Sequence, residues 1–247
     1  MIELRNLIAY MTANYPSREK FLSFVDAICV TGVDYVEIGL PSSNPIYDGP
    51  TIRSTHQPEN MFTKEDMALV CSKLQDAGIK VYALSYYRDI LNAEGNRLVL
   101  IRNAGFDGVI LPDLLIDYFN INEDVMEKLY DLSLEAIPFF NPGMPDRIIK
   151  KEGKKANSWI YCGLMPSTGI RVPYDYYAVA SRMLSLLSGR EVNFGFGIRT
   201  DDDIRRILSA NVSGIAVGTV LIDYIKTGNY SGFRHFLSHV RGVIDEA

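Results

Sequence analysis

This chain has no excess of basic residues, little cysteine or histidine, and no long apolar run, and each shortage excludes something. Lys and Arg number 25 against 30 Asp and Glu, for a formal charge of −5. No basic cluster interleaves with aromatics, so the positive field that a nucleic-acid partner requires is missing. The three cysteines, Cys29, Cys71 and Cys162, are far apart and form no CxxC pair. They read as buried, reduced thiols rather than as a disulfide framework or a nucleophile with a histidine partner. Of the three histidines, His56 lies in a polar loop and reads as solvated. His235 and His239 stand four apart on the last helix, but two ligands without an HExxH glutamate make an incomplete site, and no metal is expected. The opening MIELRNLIAYM lacks the basic, apolar and small-residue order of a leader, and no apolar stretch approaches the ~20 residues of a membrane helix. A cytoplasmic protein without a membrane partner is expected. No linker or low-complexity run interrupts residues 1–247, so one domain is expected.

What the chain does contain is regular alternation. Short β-rich runs read at Leu7–Thr12, Tyr35–Gly39, Lys80–Ser85, Gly108–Leu111, Ala136–Phe140, Ser158–Cys162, Glu191–Gly195 and Gly214–Gly218. Helical segments follow most of them. From Ser17 to about Thr31, Phe21, Phe24, Val25 and Ile28 recur at helical spacing. Another helix begins after Thr200, a good N-cap, with Asp201, Asp202 and Asp203 in its first turn and Ile204, Ile207 and Leu208 as its apolar stripe. Strands that alternate with helices pair in parallel, and apolar strands such as GVILP suit a sheet covered on both faces. The number of units, their even spacing and the length of 247 residues favour a single (β/α)8 TIM barrel over an open doubly wound sheet. In such barrels the chemistry sits on the loops after the strands.

Two features there carry chemistry. The seventh strand runs through Gly195-Phe196-Gly197-Ile198-Arg199-Thr200 into a helix, and the eighth through Val217-Gly218-Thr219 into the apolar segment Val220–Ile225. Glycine admits close approach, and free N–H groups at a helix start attract anions, so a phosphate site after strands 7 and 8 is expected. Gly169, after Thr168, is a further contributor from the sixth loop. The second feature is acidic. Glu37 lies inside the strand Tyr35–Gly39, where an unpaired carboxylate is costly to bury and burial raises its pKa toward the range of acid–base work. A salt bridge to a neighbouring strand explains a strand glutamate equally well. Asp48, in Tyr47-Asp48-Gly49-Pro50, and Asp113, in Leu111-Pro112-Asp113, are further candidates, although Asp-Gly is also a common turn pair.

The stretch VEIGLPSSNPIYDGPTI resembles the signature of the tryptophan synthase alpha subunit: a strand glutamate, a Gly-x-Pro turn, a Ser-x-Pro segment and Asp-Gly-Pro-Thr-Ile. GFDGVILPDL, WIYC with Ser167-Thr168-Gly169, and GFGI with GIAVGT are similar to its fourth, sixth and last two strands. The resemblance implies a lyase that cleaves indole-3-glycerol phosphate to indole and glyceraldehyde 3-phosphate without a cofactor, in tryptophan biosynthesis. It implies Glu37 as the acid–base and Asp48 as the acceptor of the indole N–H. Thr168 would hold Asp48 when its loop closes, and Tyr10, Leu84, Ile110, Tyr161 and Phe196 would form the slot for the ring. Gly169, Gly197, Gly218 and Thr219 would meet the phosphate. The implied partner is the tryptophan synthase beta subunit, a pyridoxal-phosphate enzyme, in an alpha2-beta2 assembly. Two other readings stay open: a weakly active subunit that serves mainly as an allosteric activator, and another phosphate-binding barrel isomerase, against which Glu37 with Asp48-Gly49-Pro50 argues.

Overall fold

The computed structural model describes residues 5–57, 62–92, 97–165 and 175–247. Nine strands form one sheet: β1 (Asn6–Thr12), β2 (Tyr35–Gly39), β3 (Lys80–Leu84), β4 (Gly108–Ile110), β5 (Glu135–Ile137), β6 (Phe139–Phe140), β7 (Ile160–Gly163), β8 (Val192–Gly195) and β9 (Gly214–Val217). All eight pairings are parallel, in the order β5-β4-β3-β2-β1-β9-β8-β7-β6. The two ends of that order are consecutive in the chain, separated by Pro138 alone. Proline has no N–H to give a ladder, so it breaks the expected strand Ala136–Phe140 into β5, which pairs with β4, and β6, which pairs with β7. The sheet thus runs round to meet itself as an eight-unit TIM barrel.

The strands are apolar on both faces, as a parallel sheet covered on both sides requires. Leu7 to Met11 of β1, Val81 to Leu84 of β3 and all of β9 are buried, some against the outer helices and some inside the barrel. One hydrophobic cluster extends from Leu7 to Ile244. Helix ends follow local chemistry. Ser17 Oγ accepts the Lys20 N–H at the start of Arg18–Ile28, and Thr200 with Asp203 forms a capping box ahead of Asp201–Leu208. After β9 comes the short helix Thr219–Thr227, which Gly228 ends in the left-handed region at φ 68°, before the long helix Tyr230–Asp245. Among the described residues no helix is long and apolar enough to cross a membrane. All three cysteines are free thiols, and His239 pairs with Asp201 at 2.9 Å on the surface.

The lower interior is packed with rings. Tyr35 stacks on Trp159 with centroids 5.7 Å apart, and Tyr82 meets Trp159 edge-on at 5.3 Å. Trp159 in turn touches Tyr161, 5.8 Å away and two residues further toward the strand ends. These rings fill the barrel from the N-terminal side and leave its cavity to open at the C-terminal ends of the strands.

Candidate active site

At that end lies a pocket of about 430 Å³, counted to its open mouth. It is lined on one side by Tyr10, Glu37, Asp48, Ile52, Leu84 and Tyr161, and on the other by Phe196, Gly197, Ile198, Ala216, Val217, Gly218 and Thr219. Glu37 sits in β2 directly opposite Tyr10 of β1. Its side chain is buried, and Oε1 has no hydrogen-bond partner. No cation pairs with it among the described residues, so the salt-bridge explanation for a strand glutamate does not apply. Burial first, and the charge of Asp48 second, push its carboxyl up to about 8. A carboxylic acid that stays protonated at neutral pH is a proton donor.

Asp48 enters the same pocket from the loop after β2. Pro50 opens the helical turn Pro50–Arg53 with Gly49 as N-cap, a position that suits proline because no donor is lost there. Arg53 returns to donate to the Asp48 carbonyl at 2.8 Å, which fixes the loop. The Tyr86 hydroxyl donates to Asp48 Oδ2 at 2.9 Å and accepts the Tyr47 N–H at 3.2 Å. The phenols of Tyr10 and Tyr161 are driven well above their usual range, chiefly by burial and also by the charges of Glu37 and Asp48. The two carboxyl groups therefore share one largely buried compartment bordered by aromatic rings.

The opposite wall is built on the two glycine-bearing turns after β8 and β9. Phe196 and Gly197 both adopt positive φ, 70° and 94°, just after β8. A Cβ at position 197 would also crowd the Tyr176 hydroxyl, which donates to the Gly197 carbonyl at 3.1 Å. The Phe196 ring is held against Phe139 at 5.2 Å and Tyr161 at 5.9 Å, and forms the apolar edge of the pocket. Next to it, Gly218 is the N-cap of Thr219–Thr227 with no side chain capping the helix. That helix start faces the cavity with the positive end of its dipole, as an anion site requires.

The cavity thus holds a proton-donating strand carboxyl, a second carboxylate, an aromatic wall and an uncapped helix start. The family model for tryptophan synthase alpha chain matches residues 3–241. The tryptophan synthase alpha chain of Sulfurisphaera tokodaii is 33% identical over 242 residues, 98% of each chain. That of Saccharolobus solfataricus is 30% identical over 240 residues, 97% of each. The chain belongs to the tryptophan synthase alpha chain family. In fold it is similar to a mutant tryptophan synthase alpha-subunit from the hyperthermophile Pyrococcus furiosus, with a TM-score of 0.82, 22% identity and full coverage of both chains.

Tryptophan synthase alpha chains cleave indole-3-glycerol phosphate in tryptophan biosynthesis. Of the residues expected to serve that reaction, Glu37, Asp48, Tyr10, Leu84, Tyr161, Phe196, Gly197, Gly218 and Thr219 line the pocket together. Ile110 is fully buried in β4 and is not among the lining residues. Thr168 and Gly169 lie outside the described residues. Asp113 is buried away from the pocket, where both its oxygens accept the Tyr87 N–H at 2.9 and 3.0 Å. Burial raises its carboxyl to about 6. It thereby anchors the residue next to Tyr86.

His56 corrects the sequence reading. Far from being solvated, its side chain is 1% exposed and faces Asp48. The turn Pro50–Arg53 brings the polar segment back toward Asp48, which residue type alone does not reveal. Ile198 and Val217 of the two glycine-bearing turns, Ala216 of β9, Ile52 of the turn Pro50–Arg53, and Tyr86, two residues past β3, were not singled out by residue type as site residues.

Proposed function

We propose that in this chain Glu37 is the general acid–base and Asp48 the charge stabiliser in cleavage of indole-3-glycerol phosphate to indole and glyceraldehyde 3-phosphate. The observation that carries this reading is the buried Glu37 carboxyl, its Oε1 without a partner and its pKa near 8, in one pocket with Asp48. The protonated Glu37 gives its proton to the indole carbon that bears the glycerol chain. The ring becomes a cation, and Asp48 stabilises it by accepting the ring N–H. The Glu37 carboxylate then takes the proton of the adjacent side-chain hydroxyl. The carbonyl forms, the carbon–carbon bond breaks, and its electron pair returns to the ring. Glu37 ends protonated, ready for the next substrate, and no cofactor enters the balance.

Tyr10, Leu84, Tyr161 and Phe196 suit the flat uncharged ring, and the backbone around Gly197, Gly218 and Thr219 suits the phosphate. The open mouth is where a tryptophan synthase beta subunit, the pyridoxal-phosphate enzyme, receives indole in an alpha2-beta2 assembly. Solved chains of similar fold include a tryptophan synthase complex. A cytoplasmic, one-domain protein accords with this role. Indole release from indole-3-glycerol phosphate, measured on the purified chain with and without a beta subunit, tests the reading. Release by the wild type and its loss in Glu37→Gln are expected. Equal release by both would refute the assignment.

A further inference from the structure

Asp48 is held by more than the Tyr86 hydroxyl. His56 Nδ1 accepts the Ser42 backbone N–H at 3.0 Å. A ring nitrogen that accepts a hydrogen bond carries no proton, so in the neutral ring the proton is on Nε2. That nitrogen stands 3.4 Å from Asp48 Oδ2, is buried, and has no hydrogen-bond partner of good geometry. A buried N–H left just beyond bonding distance of a carboxylate is costly unless the bond is completed at some stage. Catalytic hydrogen bonds are commonly long before the substrate is bound and shorten afterwards. Both side-chain donors, Tyr86 and His56, address Oδ2. That leaves Oδ1 for another partner.

We propose that His56 is a positioning residue for the reaction, a tautomer-locked N–H donor that fixes Asp48 through Oδ2 so that Oδ1 meets the ring N–H of the substrate. The inference rests on the role given to Asp48 above. Ser42, in the loop after β2, sets the tautomer; His56, past the turn Pro50–Arg53, supplies the donor; Asp48, between them in sequence, carries the charge. The histidine touches no reacting atom. It acts through the carboxylate, at the stage when positive charge grows on the ring.

The test is a double-mutant cycle on indole release, with kcat and KM measured separately. His56→Leu removes both ring nitrogens while filling much of the volume. It is expected to lower kcat about tenfold or more and to leave KM within about twofold, the pattern of an interaction made mainly in the transition state. His56→Gln places an amide N–H near the position of Nε2 and is expected to recover most of the loss. On an Asp48→Asn background, His56→Leu is expected to add almost nothing, because the group it positions is gone. Wild-type kcat in His56→Leu, equal impairment in His56→Gln, or full additivity with Asp48→Asn would each overturn the proposal. If Asp48→Asn alone is fully active, the role of Asp48 fails and this inference with it. If Asp48→Asn is impaired and His56→Leu is not, only the inference fails. Should His56→Leu not fold, 15N NMR of the wild-type chain decides instead. With three histidines to resolve, the neutral form of the His56 ring is expected as the Nε2–H tautomer, and an Nδ1–H tautomer would overturn the proposal.

Discussion

The Tyr10 hydroxyl occupies the space that a side chain at position 39 would need. A Cβ placed on Gly39 overlaps the phenol oxygen and the ring carbons beside it. Gly39 ends β2 two residues past Glu37, and Tyr10 sits opposite Glu37 across the ladder. The glycine therefore sets how far the Tyr10 ring lies over the acid. Gly39→Ala is expected to tilt that ring into the pocket, at an overpacking cost of about 1–3 kcal/mol. Titration with an indole alkyl phosphate checks it: affinity should fall about tenfold in Gly39→Ala and recover partly when Tyr10→Phe is added. Unchanged affinity in the single variant would contradict the contact.

Glu37→Gln keeps the shape of the side chain and removes its proton chemistry. Turnover should drop by on the order of a thousandfold, the scale of a general acid–base group, while the binding of a phosphate-bearing indole survives. Single-turnover indole release together with a binding isotherm separates the two effects. Loss of binding alongside turnover would indicate a structural role instead.

The pH dependence follows from the raised carboxyl. Glu37 donates only when protonated, so kcat/KM, which reports the groups of the free enzyme, should fall as pH rises through about 8. Stability moves in the same direction for a related reason. Between the ordinary value of 4.5 and about 8, the unfolded chain releases this proton while the native state keeps it. The native state binds more protons in that window, so the stability of the wild type should decline as pH climbs through it. Glu37→Gln is free of this penalty, so its stability relative to the wild type should rise between pH 5 and pH 8, by about 3 kcal/mol. Urea melts of both proteins at pH 5 and pH 8 check this; a gap that does not widen with pH would place the carboxyl near its ordinary value.

Asp48→Asn retains an acceptor but loses the charge that faces the developing cation. A loss of about a hundredfold or more in kcat is expected, with little change in KM. Steady-state kinetics decide, and a KM effect alone would reduce Asp48 to a binding group.

At the other wall, Gly218 admits the ligand to the start of the helix Thr219–Thr227. A Cβ there would already stand 3.2 Å from the Tyr10 Cβ. Gly218→Leu should therefore weaken glycerol phosphate binding about tenfold or more by filling the approach to the free N–H groups. Calorimetry that finds the affinity unaltered would move the phosphate elsewhere.

The barrel was legible in the residues because each strand reports its own burial. Apolar runs, turn glycines and caps such as Ser17 and Thr200 act within a few positions, and the structure places those strands and helix starts within a residue or two of the expected bounds. Glu37 was legible for the same reason: a carboxyl in the middle of a buried strand is conspicuous wherever it points. Pro138 announced the break in the fifth strand only in hindsight, since its effect depends on which neighbours need its missing N–H.

What surrounds the two carboxyls was decided by folding. His56 comes from a polar loop and Tyr86 from a pair of tyrosines, neither distinguishable locally from solvated or packing residues, yet both face Asp48 Oδ2. Asp113 stands closer to a strand end than Asp48 does, yet the fold spent it on the Tyr87 backbone. Composition and local pattern determine which segments must be buried and where turns form, because those energies are short-ranged in sequence. Which side chain meets which carboxylate, and how far each proton affinity moves, depends on distances across the barrel that exist only once the ring has closed.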